Sequence, residues 1–270
     1  MALVLDCGYD IKNNRNRDLR EAKKTLDNAT EINVIISHAH TDHYNLLKFV
    51  FGRHESGGIE CDKLKKIYIG FVNNDDFVAD NDLTSLLSNK KVVTINNNVG
   101  LEKGDHYNII GYLGTDVNVN ILFPQRGSLD NDELKNNIHL QNLVISINHK
   151  GYKMLFPGDA GFNLLRLIYN NKNNKESLVG IRFILASHHG SINSNEDRWL
   201  AYLVKNGAGL DKDLTCVISQ QTQLYIRLHL LFGWICYQKN ICITQNTSSL
   251  CMKKIAISRE AYRRYVDYDL

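Results

Sequence analysis

The stretch Ser37-His38-Ala39-His40-Thr41-Asp42-His43 crowds three imidazoles and a carboxylate into six residues, directly after the apolar run Val34-Ile35-Ile36. Such a run reads as a buried strand, so the polar cluster stands where a strand stops. Side chains alternate in direction along an extended segment, which lets His38 and His40 converge on one ion. The turn that follows can bring Asp42 and His43 round to a second position nearby. Imidazole nitrogens and carboxylate oxygens suit Zn²⁺ and its divalent neighbours. The alternative, a polar loop whose histidines cap the next helix, would suit a single His better than this cluster.

The remaining elements follow from periodicity. Leu3-Val4-Leu5 opens a short buried strand ending at Asp6-Cys7-Gly8, and Arg17 to Asn28 reads as an amphipathic helix with Leu19, Ala22 and Leu26 on one face. Glu31 to Ile36 is the strand that delivers the His cluster, and Tyr44 to Phe51 a short helix. Lys66 to Ile69 and Lys91 to Ile95 are strands on either side of a helix over Asn74 to Asn89. Asp116 to Phe123 alternates Val117, Val119 and Ile121 with period two. The segment Glu102 to Tyr112 is ambiguous, and Gln125 to Asn137 reads as a long polar loop. Leu143 to Asn148 and Lys153 to Phe156 form a hairpin through His149-Lys150-Gly151. Phe162 to Tyr169 is helical and Arg182 to Ala186 a further buried strand. Beyond it come a helix (Asp197 to Lys205), a strand (Leu214 to Ser219), a helix (Gln223 to Tyr237), and strands Ile241 to Ile243 and Lys254 to Ile257. No repeat, linker or composition break divides the chain, so residues 1–270 are expected to form a single α/β domain of packed sheets covered by helices.

Composition narrows the partners. A net charge of +3 gives no overall field for nucleic acid or an anionic membrane. Cys7, Cys61, Cys216, Cys236, Cys242 and Cys251 show no paired spacing, which points to free thiols in a reducing compartment. No basic-then-apolar leader opens the sequence. The apolar stretch Leu224 to Tyr237 is interrupted by Arg227 and His229 and is too short to span a bilayer. A cytoplasmic protein without a membrane segment is the expectation.

Three more sites share the trait of the opening cluster. His139 precedes the strand Leu143 to Asn148; Asp159 follows Lys153 to Phe156, in Gly158-Asp159-Ala160-Gly161; His188 follows Arg182 to Ala186, in Ser187-His188-His189-Gly190-Ser191. Strand ends on one rim of a sheet are where a rigid scaffold presents functional side chains. Five His and two Asp on such a rim are enough for two divalent ions.

The order Leu5-Asp6-Cys7-Gly8, Ser-His-Ala-His-Thr-Asp-His, His139, Phe-Pro-Gly-Asp159 and Ser-His-His-Gly-Ser resembles the metallo-β-lactamase superfamily. The last motif is similar to the branch typified by the hydrolase domain of the competence protein ComEC. The resemblance runs from about Leu3 to Ile257. It implies a four-layer αββα sandwich, here short of the N-terminal hairpin usual in the family, either trimmed or outside this reading frame. It implies that His38, His40 and His139 hold a first metal, that Asp42, His43 and His188 hold a second, and that Asp159 bridges them. The ions would be Zn²⁺ or Mn²⁺. His188 is preferred to His189 as ligand, leaving His189 to protonate a leaving group. Ser191 and Ser194 could bond substrate oxygens.

Two metals together acidify a bridging water, giving a hydroxide at neutral pH that Asp42 would orient. The resemblance thus implies a metal-dependent hydrolase acting on phosphoesters or phosphodiesters, with a nucleic acid or nucleotide as substrate. A second enzyme reading, which the ligand set permits, is lactone, lactam or thioester hydrolysis. A non-catalytic metal-binding interaction module is the third reading. Its support is the absent hairpin and the segment Tyr225-Ile226-Arg227-Leu228, where relatives often carry Tyr-Gly-His-Pro. His229 is expected in a helix, and His54, His106 and His149 in loops.

Overall fold

The computed structural model describes residues 2–8, 20, 23–51, 61–70, 91–95, 107–108, 117–123, 142–170, 174–185, 187–190, 215–220 and 241–245. The chain separates into two compact units, residues 1–144 and 145–270.

In the first unit, strands β1 (Ala2–Leu5), β2 (Ile32–Ile36), β3 (Leu64–Gly70) and β4 (Lys91–Ile95) lie side by side in that order, all parallel. All five residues of β2 are buried, as expected for an inner parallel strand covered on both faces. β1, expected as buried, is only half-buried at the sheet edge. Because β1 and β2 run parallel in register from Ala2–Ile32 to Leu5–Ile35, the residues that follow them, Asp6 and Ser37, emerge on the same rim. Helical residues 20 and 23–26 supply Leu26 to the core beneath. A two-residue strand β5 (Tyr107–Asn108) pairs antiparallel with β6 (Val117–Phe123), whose Val119 and Ile121 are buried as the alternation required.

The expected helix over Tyr44 to Phe51 is instead two short ones, α1 (Thr41–Tyr44) and α2 (Leu47–Phe51). A continuous helix would send the Leu46 N–H to the Asp42 carbonyl, but it donates to the Cys7 carbonyl at 3.0 Å. Five residues cannot hold a helix alone. α2 persists because Leu47, Val50 and Phe51 bury against Ile32, Val34, Ile36, Leu64 and Ile67, at about 1.5–3 kcal/mol per side chain.

In the second unit, β7 (Val144–His149) and β8 (Tyr152–Phe156) form the expected hairpin, followed along the sheet by β9 (Ile181–Leu185), β10 (Thr215–Gln220) and β11 (Ile241–Gln245). β7 and β8 are antiparallel, and every later pairing is parallel. The turn is tighter than expected. His149 pairs with Tyr152 at the end of β7 rather than sitting in the loop, leaving Lys150 and Gly151 as the loop residues. Both have positive φ (51° and 82°), the two-residue geometry that matches strand twist. Helix α3 (Phe162–Asn170) buries Leu164, Leu165 and Ile168, spaced for one helical face. The Asn174 side-chain amide donates to the Ile168 carbonyl near the end of α3. A short helix α4 (Lys175–Leu178) leads into β9.

Among the described residues, no helix is long and apolar enough to cross a membrane. The helices expected over 74–89, 197–205 and 223–237, the loop 125–137 and the strand 254–257 lie outside the described residues.

Candidate metal centre

β2 ends at Ile36, and residues 37–39 bend before His40 resumes an extended conformation (φ −74°, ψ 138°) at the start of α1. This bend turns the alternation of a strand into convergence. His38 Nε2 stands 2.8 Å from His40 Nδ1, with ring centroids 4.5 Å apart. The turn into α1 brings the His43 ring to 4.3 Å from that of His38. Asp42, on the same short helix, is partly exposed, its Oδ2 3.9 Å from His43 Nε2. His38 and His43 are buried.

A carboxylate that was not singled out as functional holds this arrangement together. Asp6 Oδ1 accepts the Ser37 backbone N–H at 2.7 Å, and Oδ2 accepts the Ser37 hydroxyl at 2.9 Å and His43 Nδ1 at 2.9 Å. A carboxylate only accepts, so His43 carries its proton on Nδ1. The Ser37 hydroxyl, its single proton given to Asp6, offers lone pairs to His38 Nδ1 at 3.1 Å and His43 Nδ1 at 3.2 Å. With Nδ1 of both rings facing Ser37 or Asp6, Nε2 is the nitrogen through which each ring could ligate a cation. The signal for Asp6 was its place at the end of a strand, but only the pairing of β1 with β2 puts it beside a residue 31 positions away.

The segment Asp6-Cys7-Gly8 also clasps α1 through its backbone. The Cys7 N–H donates to the His43 carbonyl at 2.6 Å. Gly8 lies so close to Asp42 and His43 that a Cβ there would fall 1.6 Å from the Asp42 carbonyl oxygen. The buried Cys7 thiol is pushed up to about 12, by burial first and by the neighbouring Asp6 second.

In the second unit, β8 runs into Pro157 and a turn in which Gly158 has φ 58° and Asp159 is buried. β9 leads to a 3₁₀ turn, Ser187–Gly190. His188 has a positive φ of 49°, and its N–H donates to the Gly158 carbonyl at 2.9 Å. His188 Nε2 stands 3.7 Å from Asp159 Oδ2. That is too long for a hydrogen bond and within the spacing of two donors on one cation. His189 belongs to the same turn, but its side chain lies outside the described residues. So do His139, Ser191, Ser194, His54, His106, His229 and the Tyr225 segment.

The donors present fit a divalent cation. Neutral imidazole with carboxylate is the ligand chemistry of Zn²⁺ and similar ions. Two nitrogens on one tetrahedral Zn²⁺ stand roughly 3.3 Å apart. His38 Nε2 and His40 Nδ1, at 2.8 Å, need only open by a few tenths of an ångström to share one.

Among solved structures, the chain is similar to the metallo-β-lactamase fold protein YhfI from Bacillus subtilis. The identity is 11%, coverage is 90% of this chain and 83% of YhfI, and the TM-score is 0.47. It is also similar to Zn²⁺-bound PqqB from Methylobacterium extorquens, at 12% identity over 68% of this chain and 55% of PqqB, with a TM-score of 0.38. No curated protein matches the chain in sequence. The sequence model of the metallo-β-lactamase superfamily matches residues 2–207, about three quarters of the chain. The chain belongs to the metallo-β-lactamase superfamily, a family of metal-dependent hydrolases.

Proposed function

We propose that this protein is a metal-dependent phosphoesterase of the ComEC-like branch, acting on phosphodiesters such as those of nucleic acids or nucleotides. On the family's ligand order, His38, His40 and His139 bind one divalent ion, Asp42, His43 and His188 a second, and Asp159 serves both. The observation that carries the reading is the convergence of His38 Nε2 and His40 Nδ1 at 2.8 Å, beside a His43 ring whose Nδ1 is taken up by Asp6. Divalent ions bound there would acidify water and polarise a substrate oxygen. The chain's own residues do the rest. Asp6 and Ser37 keep the imidazole tautomers fixed, Asp42 orients the attacking water, and His189 donates a proton to the leaving oxygen.

The branch assignment rests on Ser187-His188-His189-Gly190-Ser191, and with it the preference for phosphorus over carbonyl substrates. The test is hydrolysis of bis(p-nitrophenyl) phosphate against a chromogenic lactam and a thioester, with added Mn²⁺ or Zn²⁺. Metal-dependent turnover of the phosphodiester, lost in Asp42→Ala, is expected. Turnover of the lactam or thioester alone would overturn the substrate class. Bound metal without turnover on any of the three would favour a binding module.

A further inference from the structure

We propose that Ser187 is a positioning residue for the cation that Asp159 and His188 share, an inference that rests on the ligand assignment above. Ser187 is buried, and its Oγ lies 2.5 Å from the Ala160 carbonyl and 3.2 Å from the Gly158 carbonyl. These two carbonyls flank Asp159 in the chain. The next residue adds a third tie, the His188 N–H to the same Gly158 carbonyl at 2.9 Å. Consecutive residues of one turn therefore grip the other turn on both sides of its carboxylate.

The grip has a geometric consequence. His188 adopts a left-handed backbone conformation that a non-glycine residue rarely holds without outside support. That conformation carries its ring to 3.7 Å from Asp159 Oδ2. The Gly158 and Ala160 carbonyls that the Ser187 hydroxyl faces both belong to the Asp159 turn. Its role is to fix where that turn sits against His188 before any ion arrives. Removing it leaves the side-chain donors and the His188 N–H tie intact but loosens the hold on the Ala160 side of Asp159, so the change falls on the spacing of the ligands and not on their number.

The test uses the full-length protein stripped of metal and titrated with Zn²⁺ alone against a chromophoric chelator. It compares wild type, Ser187→Ala, Ser187→Thr and Asp159→Asn, each read at a temperature where circular dichroism shows it folded. Ser187→Ala is expected to weaken the second zinc equivalent roughly 10–100-fold, leaving the first within about twofold. Ser187→Thr, which keeps the hydroxyl, is expected to restore the second affinity. Wild-type affinity in Ser187→Ala, or no restoration in a folded Ser187→Thr, overturns the role of Ser187. If Asp159→Asn binds both equivalents as wild type does, the ligand assignment itself fails and the proposal falls with it. If Asp159→Asn loses the second equivalent while Ser187→Ala keeps it, only the Ser187 proposal fails.

Discussion

Gly8 is the position where a single methyl group tests the clasp on the His cluster. A Cβ there would lie 1.6 Å from the Asp42 carbonyl oxygen, 2.2 Å from its carbon and 2.7 Å from the His43 nitrogen. All three are backbone atoms, so no side chain can swing aside. Restoring ordinary contact requires the two segments to part by roughly 2 Å. That separation breaks the bond from Cys7 N–H to the His43 carbonyl (2.6 Å) and the bond from Leu46 N–H to the Cys7 carbonyl (3.0 Å). Two lost hydrogen bonds at about 0.5–1.5 kcal/mol each, and a buried group left without a partner at about 1–3 kcal/mol, put the cost of Gly8→Ala at about 2–6 kcal/mol. For a chain of this size that is a fall in Tm on the order of 10 °C. The assay is thermal unfolding of the metal-free protein followed by circular dichroism, alongside zinc affinity at about 20 °C. Because His43 moves with its carbonyl, affinity should fall even where the variant remains folded. A Tm within about 2 °C of wild type, with unchanged zinc affinity, would refute the close approach.

Two further predictions concern the same corner. Asp6→Asn turns an acceptor facing His43 Nδ1 into an amide that can present donors there, so the His43 proton is driven to Nε2. Zinc binding should weaken roughly 10–100-fold, and ¹⁵N shifts of the His43 ring should report the changed tautomer; an unaltered tautomer would contradict the hydrogen-bond network. Cys7, pushed above its ordinary 9.0 to about 12, should resist iodoacetamide at pH 8.5 in the folded protein, read by peptide mass spectrometry. The sign for stability follows. The unfolded thiol ionises near 9 and the folded one near 12, so its contribution is intact below pH 9 and is lost between 9 and 12, at about 1.4 kcal/mol per pH unit. Rapid native labelling of Cys7, or no such loss on replacing Cys7 with Ala as reference, would contradict its burial.

What the sequence made legible was local. The His cluster showed itself because its donors lie within six residues directly after a strand, although a bend over residues 37–39, not alternation alone, brings His38 and His40 together. The strand expected over Glu31 to Ile36 and the hairpin expected through His149-Lys150-Gly151 were readable from neighbouring residues, though the loop itself shortens to Lys150 and Gly151. What escaped notice depends on distant pairing. Asp6 supports His43 across 37 positions, and only the parallel register of β1 and β2 joins them. The break between α1 and α2 comes from a carbonyl at Cys7, which no local helix pattern encodes. The family assignment needed only the order of the motifs, and the family model matched over residues 2–207. Substrate class is not written in ligand spacing, because phosphoryl and carbonyl hydrolysis can use the same donors.

The account stands on His38 and His40 acting as ligands of one divalent cation. The most direct measurement is the zinc-to-protein ratio by inductively coupled plasma mass spectrometry after equilibrium dialysis, for wild type, His38→Ala and His40→Ala. Two zinc ions per wild-type chain, with at least one lost in each variant, is the predicted result. A wild-type chain that retains no zinc or manganese, or variants that retain as much as wild type, would contradict it.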